Sequence, residues 1–271
     1  MLVGESEFKV SLLVAEPKYR RPISSNQEQL LRLLYKFRFV TSDLLAEVLG
    51  KNRSTIYESL YVLHKQGYVH KIYEPTYRIR QLPARYTLAP NGIRHLLAQG
   101  YGNASTLRYF FRNRSAKPWS IEHSLDVMKV FSLIKLRTKK TFAVYSGPEI
   151  AEDPDYLRPL PDLCLERNRK HPNKPELYLL EVLDKDKPFW KHTQRLKAHQ
   201  KHYDDNWQYK NYPNILLVAP DYRTERYMLK VVENRWFDFD VWVTNKKRLQ
   251  ESQDGKVWAT EFDEDEELVR L

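Results

Sequence analysis

The sequence predicts a two-domain protein of the α+β class, in which a mostly helical N-terminal part precedes a mixed α/β part. The chain of 271 residues is longer than one simple domain, because the sizes of domains cluster at roughly 100–150 residues. The excess of positive over negative charge is confined to the first part: residues 1–117 carry 19 Lys and Arg against 8 Asp and Glu, leaving 26 against 27 for the remainder. After residue 119, short apolar runs alternate with helical segments, which indicates buried strands.

Composition excludes several classes of protein. Cys164 is the only cysteine, so the chain forms no intrachain disulfide and no cysteine-built zinc site. No uncharged apolar run reaches the roughly 18 residues of a membrane span, and the start lacks the order of a signal peptide. We therefore expect a soluble protein of a reducing cytoplasm. No P-loop, Gly-rich dinucleotide turn or G-x-S-x-G motif is present, so nucleotide hydrolysis and serine hydrolase chemistry have no support.

Three helical segments come first. One begins at Ser25, SNQEQLLRLLYKF, and repeats leucine at helical spacing, which predicts one buried face. The second, SDLLAEVLG, has Thr41 as its N-cap and Gly50 as its stop. A KNRS turn leads to the third, STIYESLYVLHKQG, in which Thr55 and Glu58 have the spacing of a capping box. This order is typical of a helix-turn-helix with the third segment as recognition helix.

A hairpin is predicted next. The segment YVHKIYEPTYRIRQLPARYTL alternates apolar with basic or polar residues around a turn at Pro75, which predicts a wing of two or three strands. PNGIRHLLAQG then predicts a short helix packed by Ile93, Leu96 and Leu97. Together these elements predict a winged helix-turn-helix domain that binds DNA, over residues 1–100.

The recognition helix and the wing contain the candidate DNA contacts. If the apolar repeat of the helix faces the core, its polar N-terminal face enters the major groove, and basic residues meet phosphate. Duplex DNA is favoured over RNA, because the A-form major groove is too narrow for a helix. The candidate DNA-binding residues are Lys51, Asn52, Arg53, Ser54, Thr55, Tyr57, Tyr61, Lys71, Arg78, Arg80 and Arg85.

The second part follows a polar, basic stretch without clear periodicity, which predicts a linker at 101–118. A helix from Ser120 then precedes three apolar stretches, a charged helix, a strand, a helix and a strand. This α-β-β-β-α-β-α-β order predicts a mixed α/β domain over 119–260. The last residues, 261–271, form an acidic tail that we interpret as solvated.

Two acidic residues lie on apolar runs of the second part. Asp162 and Glu181 belong to the stretches PDLCL and LYLLEV, and if these pair as neighbouring strands, the two carboxylates suit Mg²⁺. Glu122, on the preceding helix, is the third candidate metal ligand. A nuclease centre also needs a cation, usually a lysine two residues beyond the glutamate, but Leu183 stands there. Lys185 is then the candidate catalytic cation beside Asp162 and Glu181.

These residues resemble two known groups of proteins. The PD…E-x-L arrangement in an αβββαβ order is similar to the PD-(D/E)xK restriction-endonuclease-like superfamily, with Asp162 and Glu181 matching and Leu183 replacing the lysine. From Gln27 to Tyr203, the helix-turn-helix followed by YTLAPNGIRHL, EHSLDV, RPLPDL, LLEVLD and KAHQKHY resembles the replication-relaxation family of plasmids and other mobile elements. That resemblance implies a winged-helix part followed by a nuclease-like part.

We therefore expect a double-stranded DNA-binding protein of a plasmid or other mobile element, which acts in replication or transfer initiation or its control and whose nuclease-like domain is inactive. Two alternatives stay open: a Mg²⁺-dependent site-specific endonuclease or nickase, and a dimeric winged-helix transcriptional repressor. Magnesium is the cofactor only in the first alternative. Besides duplex DNA, the interpretation allows a homodimer or a replication or relaxosome protein as partner, and no membrane.

Overall fold

The structure, a computed structural model, describes residues 22–138, 141–151, 159–167, 176–206, 212–252, 255–261 and 268–270. The elements of the first part are α1 (Ser25–Phe37), β1 (Val40–Thr41), α2 (Ser42–Leu49), α3 (Arg53–Lys65), β2 (Val69–Ile72), α4 (Pro75–Ile79), β3 (Arg85–Leu88), α5 (Pro90–Ala98), α6 (Ala104–Arg108) and a 3₁₀ helix, Tyr109–Ser115. The strands among them form an antiparallel sheet in the order β1-β3-β2. Three helices with this small sheet are the predicted winged helix.

Local signals set the ends of α1 and α2. Ser24 caps α1, and both hydrogen bonds of a capping box with Gln27 are present. Thr41 accepts a hydrogen bond from the backbone N–H of Leu44 at 3.2 Å, and Gly50 ends α2 with a φ of 61°. Glycine adopts this left-handed conformation without steric cost. Both predictions for α2 are therefore confirmed.

The start of α3 differs from the prediction. The capping box predicted at Thr55 and Glu58 is wrong, because the helix already begins at Arg53. Asn52 is the N-cap, and its side-chain oxygen accepts from the backbone N–H of Ser54 at 3.0 Å. Asparagine is at least as good a cap as threonine, so the helix begins after Asn52, the earlier of the two capping residues.

The wing is a hairpin only in part. β2 and β3 pair antiparallel, as two of the predicted strands should. Between them, the segment predicted to continue as strand forms α4, which begins at Pro75 because proline suits the first turn of a helix. On α5, Ile93 and Leu96 are buried as predicted, but Leu97 is 37% exposed. The predicted core position of Leu97 is therefore wrong.

Residues 101–118, for which the sequence predicts a linker, pack onto the first part. Leu107 of α6 and Phe110 and Asn113 of the 3₁₀ helix are buried. Asn113 Nδ2 donates to Thr87 Oγ1 of β3 at 2.9 Å. Side chains three residues apart share one face of a 3₁₀ helix, which is why this spacing buries them without a period typical of an α-helix. The segment is thus packed structure and not an irregular connection, while the domain boundaries stay predictions.

The second part contains the predicted order of helices and strands with four additions, α8, α11, β9 and β10. Its elements are α7 (Pro118–Thr138), β4 (Phe142–Ser146), α8 (Gly147–Ile150), β5 (Leu163–Arg167), β6 (Glu176–Val182), α9 (Phe189–Asn206), β7 (Asn214–Ala219), α10 (Tyr222–Glu233), β8 (Val241–Asn245), α11 (Lys246–Glu251), β9 (Lys256–Ala259) and β10 (Leu268–Arg270). Within the described ranges, no helix is long and apolar enough to cross a membrane.

The predicted acidic tail was interpreted as solvated, but part of it belongs to the large sheet. β10 lies within the predicted tail and pairs antiparallel with β9. Residues 262–267, which hold most of the acidic side chains of the tail, lie outside the described residues. The end of the chain therefore contributes an edge strand to the large sheet.

The described strands of the second part form one mixed sheet in the order β10-β9-β8-β7-β6-β5-β4. β6, β7 and β8 are parallel, and the other neighbouring pairs are antiparallel. Alternate side chains face opposite sides. Leu180 and Leu216 pack in one core with residues of α7, whereas Leu179 and Leu217 pack in a second core with residues of α9 and α10. The sheet is thus covered on both faces.

One apolar core joins the two parts of the chain. It contains Leu34 of α1 together with Met128 of α7 and Leu180 of β6. At its border, Ser132 Oγ of α7 donates to Glu47 Oε1 of α2 at 2.8 Å. A shared core couples the stability of the elements that line it, so we expect both parts to unfold together.

Leu34→Ala should destabilise both parts at once. Leu34 is fully buried in the shared core, and its truncation costs about 2–5 kcal/mol of unfolding free energy. All six tryptophans lie at or beyond residue 119, so tryptophan fluorescence during urea unfolding reports the second part, and its midpoint should fall. Leu97→Ala, at an exposed position, is the control. A tryptophan transition unchanged in Leu34→Ala would show that the parts unfold independently.

Candidate nucleic-acid interface and carboxylate centre

The exposed side of α3 is the candidate nucleic-acid surface. Ile56, Leu60 and Leu63 are buried, as the apolar repeat predicts, and this turns the opposite face outward. The exposed residues of that face are Arg53, Ser54, Thr55, Tyr57, Glu58 and Tyr61. Because most of them lie in the first two turns, the face is concentrated at the end of the helix that enters a groove in helix-turn-helix docking.

Tyrosine rings and lysine ammonium groups meet between α3 and the wing. Tyr57 is 47% and Tyr73 48% exposed, and the Lys71 ammonium lies 6.0 Å from the ring centroid of Tyr57 and 5.4 Å from that of Tyr73. Further along α3, the Lys65 ammonium lies 5.5 Å from the ring centroid of Tyr61. Cation–π attraction favours these positions of the two ammonium groups, so positive charge is held beside α3 on this surface.

The turn before α3 uses its polar residues partly for its own structure. The Asn52 side chain caps the helix, and Lys51 Nζ donates to Asn26 Oδ1 at 2.7 Å. Arg53 pairs with Asp43 at 2.5 Å, yet the Arg53 side chain is 68% exposed. An exposed ion pair contributes little free energy. Arg53 is therefore available to exchange its carboxylate partner for a phosphate, whereas the Asn52 side chain is already used by the helix.

The basic residues of the wing divide into two groups. Arg78 on α4 and Arg80 after it are exposed. Arg85 is 3% exposed, with its guanidinium 2.6 Å from Glu122 of α7 and 4.1 Å from the ring centroid of Tyr77. Its burial contradicts the predicted contact with DNA, because β3 is the central strand of the wing sheet and α7 covers that position. Glu122, a candidate metal ligand, is the partner of Arg85 instead.

The structure brings Asp162 and Glu181 together. Asp162 directly precedes β5 and Glu181 lies on the neighbouring β6, with Leu163 opposite Leu180 in register. Asp162 Oδ2 accepts a hydrogen bond from the backbone N–H of Val182, the residue after Glu181, at 2.8 Å. The two acidic side chains therefore border one point where the paired strands end.

His123 bridges Asp162 to a second acidic residue. Its Nε2 donates to Asp162 Oδ1 at 2.8 Å and its Nδ1 to Asp184 Oδ1 at 2.7 Å. Burial lowers the pKa of His123, but hydrogen bonds and charges from Asp162 and Asp184 outweigh it and raise the pKa to about 10. Burial raises the pKa of Asp184, yet its contacts with His123 and Lys187 lower it to about 2. At neutral pH, a protonated histidine thus lies between two acidic side chains.

Glu181 has partners from α9. It is 4% exposed, and its Oε1 lies 2.9 Å from Arg195 Nε and 2.8 Å from His199 Nε2. The other ring nitrogen of His199 lies 3.2 Å from the hydroxyl of Tyr212. Burial lowers the pKa of Arg195, but the charge of Glu181 more than reverses this, and Asp162 adds to the rise. Arg195 therefore lies within electrostatic reach of both predicted catalytic acids.

This set of donors does not fit a magnesium ion. Mg²⁺ demands carboxylate oxygens in near-octahedral geometry, while Asp162 and Glu181 are already compensated by protein N–H groups. Glu122 faces the wing, and Lys185 is exposed with its charge acting on Asp221. Among the residues that the structure describes, no group of three or more His, Cys, Asp or Glu side chains could hold a metal ion.

The sequence prediction missed the side chains that pair with the two acids of this centre. His123 belongs to the EHSLDV motif and His199 to KAHQKHY, so both lie in motifs on which the family resemblance rests. Leu183, at the position where a nuclease centre was expected to have a lysine, is 3% exposed, and burial there would be costly for an ammonium group. An apolar residue at that position was the available signal that the positive charge comes from other elements.

The comparison with protein families agrees with this architecture. The model of the replication-relaxation family matches residues 31–211, which include α3, the wing and both acids of the centre. The chain belongs to the replication-relaxation family. This confirms the resemblance carried by the motifs and connects the protein with replication of DNA. No curated protein matches the chain.

Solved structures show weaker similarity. The adhesin competence repressor AdcR of Streptococcus pyogenes is 17% identical, covering 37% of this chain and 72% of its own, with a TM-score of 0.24. A ZitR mutant of Lactococcus lactis is 18% identical over 43% of this chain and 77% of its own, with a TM-score of 0.26. The restriction endonuclease FokI is 11% identical over 82% of this chain and 43% of its own, with a TM-score of 0.27. Similarity this weak adds nothing to the assignment of the fold, which depends on the helices and strands of this chain itself.

Removing His123 should change how stability depends on pH. Its pKa is about 10 in the folded protein against an ordinary 6.5, so its contribution is complete below pH 6.5 and is lost as the pH rises through about 10. The wild-type protein should therefore lose up to about 1.4 kcal/mol of unfolding free energy per pH unit over this range. His123→Gln should lack this slope in urea unfolding at pH 7, 8 and 9.

The matched control is His64→Gln. His64 lies 3.1 Å from the backbone carbonyl oxygen of Val69 and not between acidic side chains, so this variant should keep the wild-type slope. If His123→Gln also kept it, the bridge from His123 to Asp162 and Asp184 would not be the source of the pH dependence.

Proposed function

We propose that this protein binds double-stranded DNA of a plasmid or other mobile element in the cytoplasm and acts in the initiation or control of its replication or transfer. Family membership supports the connection with replication. The observation that carries duplex binding is the exposed face of α3, where Arg53, Thr55 and Tyr57 lie beside the charge of Lys71. A helix enters the B-form major groove but not the A-form one, which favours duplex DNA over RNA.

Positive charge beside α3 supports the same surface. Arg78 and Arg80 are exposed on and after α4, and the first part has an excess of basic residues, 19 Lys and Arg against 8 Asp and Glu over 1–117. Residues of this kind contact phosphate, which positions a protein without reading sequence. In this proposal, the wing supplies affinity that salt weakens, and α3 supplies discrimination between sites.

We also propose that the carboxylate centre stabilises the second part and does not cut DNA. A hydrolytic metal ion at Asp162 and Glu181 would have to replace His123 and Arg195 as the compensating charge. Breaking a buried ion pair by removing one partner costs about 3–5 kcal/mol. The contacts of His123, Arg195 and His199 with these acids therefore favour a structural role.

A Mg²⁺-dependent endonuclease is the second candidate function. The observation in its favour is the adjacency of Asp162 and Glu181 at the ends of paired strands, since a metal-dependent nuclease needs two carboxylates at one point. This candidate requires Arg195 to leave Glu181 when DNA and Mg²⁺ bind together.

Tyr57→Ala should reduce discrimination between DNA sites. Loss of one base contact costs about 1–3 kcal/mol of binding free energy at the specific site. Arg80→Ala should instead weaken binding to all DNA sequences equally, because a phosphate contact carries no sequence information. Footprinting on the DNA of the element locates the site, and fluorescence anisotropy on that site and on a scrambled duplex gives the specificity ratio. Tyr222→Ala removes a tyrosine of α10 that is 57% exposed and is the control.

Two results would contradict the placement of α3 in the groove. The first is a specificity ratio that Tyr57→Ala leaves at the wild-type value. The second is binding that does not respond to NaCl, because phosphate contacts release counterions and weaken as salt rises.

Supercoiled plasmid that contains the bound site should stay supercoiled with the protein and Mg²⁺ or Mn²⁺. Mg²⁺ should also leave the melting temperature unchanged, because an ion that binds the folded state would raise it. Wild-type protein and Glu181→Gln are compared by agarose electrophoresis and by thermal unfolding. Nicks made by the wild type alone, together with a melting temperature that Mg²⁺ raises, would establish the endonuclease instead.

A further inference from the structure

A basic strip lies outside the surface of α3. Residues 104–119, the 104–119 strip, read ASTLRYFFRNRSAKPW and contain no Asp or Glu. Its cations are Arg108, Arg112, Arg114 and Lys117, all of them exposed. Over the part of the chain that the structure describes, none of these four charged groups pairs with a carboxylate. The strip therefore presents positive charge that no described carboxylate compensates.

Aromatic rings of the 104–119 strip are exposed as well. Tyr109 is 64%, Phe111 47% and Trp119 58% exposed. Phe110 behaves in the opposite way: it is 2% exposed and stacks on Tyr35 with ring centroids 5.5 Å apart. The chain thus uses one ring to anchor the strip and leaves the others in water, which is unfavourable for apolar surface unless a ligand covers it.

The anchoring fixes the position of these rings. Leu107, Phe110 and Asn113 are buried, and Asn113 donates to Thr87 of β3 and accepts from Arg38, each at 2.9 Å. The 3₁₀ helix is thereby held against the outer face of β3. A surface already fixed in position loses little conformational entropy when it binds a ligand.

The 104–119 strip continues from the wing. Burial, and then the charges of Arg114 and His64, lower the pKa of His70 on β2, so Arg114 lies within electrostatic reach of that strand. β2 is at the edge of the wing sheet. At the other end of the strip, the Lys187 ammonium lies 5.6 Å from the ring centroid of Trp119. The strip therefore extends from the vicinity of the wing edge to the second part.

We propose that the 104–119 strip binds single-stranded DNA, with Tyr109, Phe111 and Trp119 stacking on unpaired bases and the four cations following the phosphates. Every base has a π-face, so this mode of binding tolerates any sequence. A duplex keeps its bases stacked on one another, and phosphate contacts alone would leave the exposed rings uncovered. Four cations that have no carboxylate partner among the described residues favour a polyanion over a protein partner.

This site is separate from the proposed duplex surface. The 104–119 strip shares no residue with α3 or α4, so the inference stands even if duplex binding at α3 fails. If both surfaces bind DNA, the protein holds a duplex on α3 and an unpaired strand along the strip. DNA of that form occurs at a junction between paired and melted segments, where replication begins.

The test is fluorescence anisotropy with labelled oligo(dT) of about 30 nucleotides, long enough for several stacked bases, and with a blunt duplex of random sequence. Tyr109→Ala and Trp119→Ala should each weaken oligo(dT) binding by about 5- to 150-fold. Tyr109→Phe keeps the ring and should stay within about twofold of the wild type. Trp236→Ala removes a ring that is 100% exposed elsewhere and is the matched control.

The contribution of charge is measured with a second set of variants. Arg112→Ala and Arg114→Ala should each lower the slope of log affinity against log salt for oligo(dT), by about 0.7 for each phosphate that the variant no longer neutralises. Circular dichroism and the urea midpoint show that each variant is folded, so weaker binding is separated from loss of the fold.

The decisive quantity is the ratio of oligo(dT) affinity to duplex affinity. A ratio that falls in Tyr109→Ala and Trp119→Ala, but not in Tyr109→Phe or Trp236→Ala, supports the proposal. An unchanged oligo(dT) affinity, or an equal loss on both ligands, overturns it. Tighter binding of oligo(U) than of oligo(dT) overturns the assignment to DNA. Self-association of the free wild-type protein that Tyr109→Ala abolishes overturns it in favour of an interface between copies of the chain.

Failure here and failure of the proposed function give different results. Duplex specificity is measured on Tyr57→Ala, whereas stacking on unpaired bases is measured on Tyr109→Ala. If the protein binds oligo(dT) through its rings but has no specific duplex site, the role of the 104–119 strip is supported and the role proposed for α3 is contradicted.

Discussion

An acidic side chain that is removed from water needs a compensating positive charge, and this constraint organises the second part of the protein. Glu181 is 4% exposed, which is unfavourable for a carboxylate without partners. Arg195 of α9 provides the charge for Glu181, and His199 of α9 lies at hydrogen-bond distance from the same carboxylate. His123 of α7 is the partner of Asp162. Helices from both faces of the sheet are thereby fixed to one point at the ends of β5 and β6.

The same constraint limits the chemistry of the centre. In a metal-dependent nuclease, a divalent ion compensates the acidic pair and activates water. Here the compensating groups come from the chain itself, and the buried, apolar Leu183 stands two residues after Glu181. A hydrolytic metal ion would therefore need the same carboxylate oxygens that the stabilising ion pairs already use. The acidic residues at the ends of β5 and β6 serve as internal ion-pair partners in this structure.

The joining of the two parts also reshapes the wing. Arg85 and Thr87 alternate with core residues on β3, and in a free-standing winged helix their side of the sheet would face water. Here Glu122 of α7 and Asn113 of the 3₁₀ helix contact them. The proposed nucleic-acid contacts therefore lie on α3, α4, the edge strand β2 and the 104–119 strip. Buried residues of α3, β2 and the strip belong to the shared core.

The sequence by itself determined the helices of eight or more residues, most of the strands and the adjacency of Asp162 and Glu181, because periodicity, caps and turn residues act over a few neighbouring positions. Only the tertiary structure decided that Arg85 is buried and that His123 compensates Asp162. These contacts join residues 37 and 39 positions apart, and no local pattern encodes which distant side chain will meet a buried charge. Packing of the two parts against each other makes that choice.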